Sequence, residues 1–276
     1  MITAEIMGGL GNQLFQIFTA IAYALRSEEP FSFLNIKELN NIGCTARHTY
    51  WDTFLVSLKK FTTNQIPEMH LLREEGFVYK YFPVIKNVNI KFLGYFQSYK
   101  YFENEYNNII KLIRLNEMKD TIKSETIIDL SNVISIHFRV GDYKHLQHIH
   151  PIMPYEYYKN GIKYILDNSK TNPNQVLYFC EKSDYDDVIQ IIDKLKSCYT
   201  NLEFICINFD ISDWEQMITM SLCKYNVIAN STFSWWGGYF NTNKEKIICY
   251  PTLWFGPGLP HNTNDLFPPS WKKIHF

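Results

Sequence analysis

Five residues within seven positions carry the densest chemistry of the chain: His137, Arg139, Gly141, Asp142 and Tyr143, in the stretch VISIHFRVGDY over 133–143. An Arg fork suits a phosphate or a carboxylate, because its planar donors meet two oxygens at once. An imidazole and a carboxylate lie beside it. The run opens with Val133, Ile134, Ile136 and Phe138, β-branched or aromatic residues that predict a strand. His137 and Arg139 stand two apart, so they share one face of it. Gly141 permits a sharp turn that a residue with a Cβ would resist. The cation, the imidazole and the carboxylate therefore gather at the C-terminal end of a strand, where ligands bind in open α/β sheets. The same residues also fit a plain strand end with a surface ion pair, and this stretch leaves both readings open.

Two other turns have the form of anion sites. A strand predicted over 2–7 runs into Gly8-Gly9-Leu10-Gly11-Asn12-Gln13, and a helix is predicted over 12–27. That helix has Leu14, Phe15, Ile17, Phe18, Ile21, Ala22 and Leu25 at helical spacing. A strand, a glycine turn and a helix start aim backbone amides at an anion. The dinucleotide fingerprint G-x-G-x-x-G fails, because Leu14 occupies the third glycine place counted from Gly9 and Gly11. The G-x-x-x-x-G-K-[ST] loop fails because no Lys follows. What is left is a turn that backbone can bring close to a ligand, with Asn12 and Gln13 as polar reach, or a tight βα turn and nothing more. The other turn lies in NVIANSTFSWWGGYFN over 226–241. A strand ends at Asn230, and Ser231, Thr232 and Ser234 put hydroxyls at a helix start. This is a second anion site or a plain Ser/Thr N-cap. Trp235 and Trp236 are expected between helix and sheet.

The elements that must position these turns alternate in type. Strands are predicted over 30–34, 77–82, 90–95, 175–180, 203–206, 226–229 and 247–255, and helices over 67–75, 154–167 and from 183 to 196. Residues 35–53 read as a polar loop, 115–131 as a linker, and the Pro-rich tail as a wrapping segment. In LGYFQSYKYF over 93–102, most aromatics are assigned to the core, and Gln97 stays open as a sugar contact. His145, His148 and His150 lie close together, but no Cys or carboxylate completes a metal-ligand set. Asp184 and Asp186 form D-x-D, which can hold a divalent cation on sugar-nucleotide phosphates. The preferred reading is a helix cap with acids in the first turn.

Length and composition bound the rest. The 276 residues suit one large or two medium domains of ~100–200 residues each. The formal net charge of −1 gives no bulk argument for nucleic acid or a membrane. The six cysteines, Cys44, Cys180, Cys198, Cys206, Cys223 and Cys249, are scattered without a C-x-x-C pair. They predict reduced thiols in a cytoplasmic protein, peripheral to a membrane at most. The chain opens almost at once with a strand, so no signal peptide is expected. No apolar run reaches the ~18 residues of a membrane span. Asn230-Ser231-Thr232 matches the glycosylation pattern but sits in a predicted buried element.

Together these stretches resemble the α-1,2-fucosyltransferases, an inverting glycosyltransferase family. Four pieces carry the resemblance: GGLGNQLFQ over 8–16, LGYFQSYKYF over 93–102, HFRVGDY over 137–143 and CKYNVIANSTFSWWG over 223–237. They occur in the family's order across nearly the whole chain. The resemblance implies an α/β fold of the GT-B class, with two Rossmann-like domains facing across a cleft. Residues 1–125 would form the acceptor-side domain. Residues 126–276 would bind the GDP-sugar, with the tail packing back on the first domain. It implies transfer of L-fucose from GDP-fucose to a hydroxyl of an acceptor glycan, galactose O2, with no metal and no other cofactor. Arg139 would grip the donor diphosphate, helped by Asn230, Ser231, Thr232 and Ser234 at that helix start. Gly9, Gly11 and Asn12 would lie on the donor cleft, and Gln97 on the acceptor. Asp142 is the first candidate for the base that an inverting transfer needs, and His137 the second. One departure stands out: Cys180-Glu181-Lys182 replaces the Ser-Asp-Asp run that relatives often carry after the strand, which bears on the base and ribose contacts. Rival readings are another GDP-sugar donor on the same fold, or a non-catalytic sugar-binding module.

Overall fold

Short apolar runs alternate with amphipathic stretches, and that alternation folds into parallel strands joined by helices. The computed structural model describes residues 1–39 and 47–276. Cys44 and the middle of the predicted 35–53 loop lie outside the described residues. The chain divides into two compact units: Met1–Met118 with His261–Pro268, and Lys119–Pro260 with Pro269–Phe276.

The first unit begins with β1 (Ile2–Ala4) and α1 (Leu10–Ser27). Two short ribbons follow. In one, β2 (Phe33–Leu34) pairs with β5 (Thr62–Thr63); in the other, β3 (Glu38–Leu39) pairs with β4 (Arg47–His48). Then come β6 (His70–Arg73), β7 (Ile90–Leu93) and α2 (Tyr106–Ile113). The main sheet is parallel, in the order β1-β7-β6. Helix α1 buries Leu14, Phe15, Ile17, Phe18 and Ile21, and Phe18 meets Phe102 edge-on at 5.4 Å between ring centres. It stops at Glu28, which takes the left-handed conformation (φ 55°) and returns its N–H to the last carbonyls. Segment His261–Pro268 belongs to this unit through Asp265. That residue accepts from the Tyr79 N–H at 3.1 Å and pairs with Lys100, and its carbonyl accepts from the Ser98 hydroxyl at 2.6 Å.

The second unit contains β8 (Val133–His137), α4 (Tyr155–Asn168), β9 (Gln175–Phe179), α5 (Tyr185–Cys198), β10 (Glu203–Cys206), α6 (Asp213–Leu222), β11 (Tyr225–Val227), α7 (Thr232–Tyr239), β12 (Ile247–Pro251) and β13 (Lys272–Ile274). Helix α3 (Leu115–Glu125) precedes them. Every pairing in the sheet is parallel, in the order β10-β9-β8-β11-β12-β13. Counted along this unit, that is 3-2-1-4-5-6, the doubly wound Rossmann order, and it reverses between β8 and β11. Crossovers cover both faces, so β8 is buried on both. Ile134, Ile136, Phe138 and Val140 pack with Tyr157, Tyr158 and Ile162 of α4 and with Val188 and Ile192 of α5. On the opposite face Val133 packs with Leu177, Phe179 and Met220. Trp235 and Trp236 are fully buried. The fold class is therefore α/β with parallel sheets in both units, as expected.

Several local expectations are corrected. Residues 67–75 do not form a helix, because His70–Arg73 pairs along β7, with His70 opposite Ile90, and the pairing overrides a locally helical composition. Residues 77–82 form no strand; the Tyr79 and Lys80 amides donate to side chains instead. The predicted linker is largely helix α3, whose Leu115 and Ile122 are buried. The division falls between Met118 and Lys119 rather than after residue 125. The wrapping tail supplies a sixth strand, β13, whose Cys249↔Lys272 register closes the sheet edge. Among the described residues, no helix is long and apolar enough to cross a membrane.

Candidate active site

The turn after β8 stands at the point where the strand order of the second unit reverses. Gly141 has φ +32°, a region that side chains with a Cβ rarely adopt, and a short 3-10 turn over Gly141–His145 follows. Two neighbouring loops fasten this turn. From the β9 side, buried Asp184 accepts the Gly141 N–H at 2.7 Å, and Glu181 pairs with the Arg139 guanidinium. From the β11 side, the Asn230 carbonyl accepts the Tyr143 hydroxyl at 3.1 Å. Two loops distant in sequence thus converge on one backbone turn.

Arg139 is the centre of this arrangement. Its side chain is 17 % exposed, with Nη2 on Asp142 at 2.5 Å and Nη1 on Glu181. Its guanidinium lies 5.1 Å from the centre of the Tyr143 ring. Burial opposes the charge, but Glu181, Asp142 and Tyr143 outweigh it and raise the pKa above the ordinary Arg value. The result is a permanent cation in a fixed orientation. Asp142 keeps its side chain 42 % exposed while pairing with Arg139. His137 differs. It is 8 % exposed, its ring lies 5.5 Å from that of Phe233, and its Nδ1 has no hydrogen-bond partner. Burial, and then Arg139, push its pKa down to about 3. A neutral imidazole that resists protonation so strongly is a weak proton acceptor near neutral pH.

The β11 loop uses its polar side chains internally. Asn230 donates from Nδ2 to the carbonyls of Pro151 (2.9 Å) and Trp254 (3.2 Å). Ser231 is the N-cap of α7 and accepts the Phe233 N–H at 3.3 Å. Ser234 is fully buried, its hydroxyl directed at the carbonyls of Ala229 and Ser231. The capping reading is thus the one observed for Ser231, and Ser234 shapes the helix start from inside. Thr232, the first residue of α7, is half-buried. The expected cap at Asp184 is corrected. It stands at the N-cap position of α5 but makes no side-chain cap bond, because its carboxylate is turned to Gly141.

In the first unit, side chains hold the glycine turn, and Gln13, open in the sequence between polar reach and a plain tight turn, is one of them. Gln13 is buried, and its Nε2 donates to the carbonyls of Gly8 (2.9 Å) and His48 (2.8 Å), so it is not polar reach. Gln16 accepts the Met7 N–H at 2.9 Å. Gly8 has φ +76°, and a Cβ there would stand 2.7 Å from Asn12 Nδ2. Gly9 is the N-cap of α1, with no side-chain cap bond, and Gly11 is buried in the first turn. A Cβ on Gly9 would meet nothing nearer than Arg47 Nη1 at 3.9 Å. Gln97 is buried, donates to Asn12 Oδ1 at 3.1 Å, and leaves its own Oε1 without a partner.

Sequence reasoning missed three contributors. Glu181 and Asp184 act on a turn more than forty positions away, which only the β8–β9 pairing reveals. Arg47 comes near Gly9 through a two-residue ribbon too short to carry a periodic signal. Among the described residues, no three His, Cys, Asp or Glu side chains gather in a way that could hold a metal ion. His150 instead stacks on Tyr143 at 4.9 Å.

A doubly wound sheet with an Arg fork at its reversal point is suited to an anionic ligand, and family comparison supplies the class. The model of glycosyl transferase family 11 matches residues 58–275, and the chain belongs to that family. It is a glycosyltransferase, acting between a sugar donor and a glycan acceptor, and both of its units are α/β with parallel sheets. Three relatives give the nearer setting. The chain is 27 % identical to an O-antigen biosynthesis glycosyltransferase, WbnK, of Escherichia coli, over 98 % of this chain and 99 % of that one. It is 25 % identical to an alpha-1,2-colitosyltransferase of Escherichia coli, over 99 % of each chain. It is 24 % identical to a galactoside 2-alpha-L-fucosyltransferase of Caenorhabditis elegans, over 99 % of this chain and 79 % of that one.

Proposed function

We propose that this chain transfers L-fucose from GDP-fucose to O2 of a galactose in an acceptor glycan, with inversion and without a metal. The observation that carries the reading is the Arg139 fork, held over Tyr143 at the strand-order reversal. The relative named galactoside 2-alpha-L-fucosyltransferase supports the sugar and the acceptor. In this reading Lys119–Pro260 is the donor half. Breaking the sugar–phosphate bond leaves charge on the diphosphate, and the Arg139 fork offsets that charge, a contribution of ~3–4 kcal/mol for one well-placed donor. Asp142, exposed and adjacent, takes the acceptor hydroxyl proton. His137 stays neutral and packs beneath. The scattered cysteines, free wherever they are described, suit a cytoplasmic enzyme.

The test is thermal stabilisation by GDP, UDP and NAD, each with and without EDTA. Selective stabilisation by GDP, ~2.7 kcal/mol at a hundred times its dissociation constant and unchanged by EDTA, is expected. No response to GDP overturns the donor, and an EDTA-sensitive response overturns metal independence. A second reading has its own support: the relative named alpha-1,2-colitosyltransferase matches this chain end to end. Turnover of a colitosyl donor in preference to GDP-fucose selects that reading.

A further inference from the structure

The Gly141 turn depends on a carboxylate that neither faces solvent nor caps its own helix. Asp184 is 3 % exposed. Burying a charge costs several kcal/mol unless it is paired and hydrogen-bonded, so its partners indicate its use. They are the Gly141 N–H at 2.7 Å and the Lys144 ammonium at 3.6 Å. Both lie in the turn that follows Arg139. Lys144 is shared with Asp187, at 2.6 Å, on the first turn of α5. Asp184 therefore holds the β8 turn at two points, two and five residues beyond the guanidinium.

We propose that Asp184 is a positioning residue for the Arg139 grip: it pins Gly141 so that Arg139 meets the diphosphate in one fixed geometry. This inference rests on the donor reading above. It assigns Asp184 no contact with substrate. Preorganisation of this kind acts through the cost of ordering the turn, which the protein meets during folding rather than at binding. Loss of Asp184 thus raises the donor KM and the GDP dissociation constant, while the acceptor KM stays put.

The experiment compares Asp184→Ala, Asp184→Asn and Asp187→Asn with the unmodified protein in GDP titration, donor and acceptor kinetics, and amide exchange over 139–146. Asp184→Ala is expected to weaken GDP at least tenfold and to speed exchange across the turn. Asp184→Asn keeps an acceptor for Gly141 and is expected to recover most of the affinity. Asp187→Asn removes a charge from the same helix start and one partner of Lys144, and is expected to change neither readout. A folded Asp184→Ala with unaltered GDP affinity and unaltered exchange overturns the proposal, as does an equal loss in Asp187→Asn. If Asp184→Ala does not fold, Asp184→Asn decides: slower exchange or tighter GDP than the parent contradicts the role. If the parent itself binds no GDP, the donor reading falls, and the exchange comparison still decides whether Asp184 holds the turn.

Discussion

The two glycine turns of this protein, after β1 and after β8, are built on opposite principles. After β1 the shape is fixed by uncharged side chains. Gln13 and Gln16 close hydrogen bonds onto the backbone of Met7, Gly8 and His48, and Gly9 is left open at the start of an 18-residue helix. After β8 the shape is fixed by charge. Asp184 holds the backbone, while Glu181 and Asp142 hold the guanidinium. A backbone-built turn offers close approach and weak, geometry-dependent polarity. A charge-built turn offers a strong field whose direction depends on the partners around it. The first turn is suited to fitting a ligand, the second to stabilising charge that develops during reaction.

The largest expected effect tests the charge-built turn. Arg139→Ala should lower transfer ~10²–10³-fold, the range for removing one preorganised donor. The variant should stay folded, because the two carboxylate partners of Arg139, Asp142 and Glu181, are exposed enough for water to replace the guanidinium. Arg139→Lys should recover little, since an ammonium lacks the fork that spans two oxygens. Steady-state kinetics with a thermal melt checks both, and a turnover near that of the parent for Arg139→Ala would remove the turn from catalysis.

The same contrast explains what could be seen in the sequence. Strand-turn-helix order, the charged run at 137–143 and the hydroxyl run at 231–234 are local, and each was legible as a candidate site. The partners were not. Asp184 looks like a helix cap because Asp at the start of a helix usually is one; only the pairing of β8 with β9 shows that a better donor, the Gly141 amide, lies closer. Gln13 looks like reach toward a ligand because amides often are, but the ribbon that brings up the His48 carbonyl is two residues long. In the α/β frame, periodicity revealed the long helices and buried strands. It failed at His70–Arg73, an edge strand with mostly exposed side chains, where pairing rather than pattern decides.

Next in size is a pH effect confined to the charge-built side. His137 ordinarily titrates near 6.5 and is pushed by burial to about 3. Between those values the unfolded chain takes up a proton that the folded chain refuses. Stability therefore falls as pH drops through this window, by up to ~1.4 kcal/mol per pH unit. His137→Gln should flatten that slope in denaturant titrations at pH 4, 5 and 6. An unchanged slope would mean that His137 is not held neutral in the fold.

The backbone-built turn is tested by adding one methyl at a time. Alanine at Gly8 meets both a positive φ and Asn12 Nδ2, and should destabilise by more than about 1 kcal/mol. Alanine at Gly9 has open space and should move the melting temperature little. A raised KM for donor or acceptor in Gly9→Ala, with stability intact, would show that a ligand comes close to this backbone. An unaltered KM for both would reduce the turn to a structural one.

The smallest effect sharpens the meaning of a charged turn. Two carboxylates already occupy the Arg139 fork, so a diphosphate bound there as proposed competes with them. Glu181 is the better candidate to leave, because it is 53 % exposed and comes from a separate loop, whereas Asp142 is held three residues from Arg139. Exposed ion pairs are worth ~0.2–1 kcal/mol, which converts to a change of about 1.4- to fivefold. Glu181→Gln removes the competing charge and nearly keeps the shape. If Glu181 acts mainly as a stand-in for the diphosphate, the variant should bind GDP about 1.4- to fivefold more tightly in calorimetric titration. If it acts mainly as a support for the guanidinium, GDP should bind more weakly. The sign of this change decides whether charge around Arg139 opposes the donor or prepares the site for it.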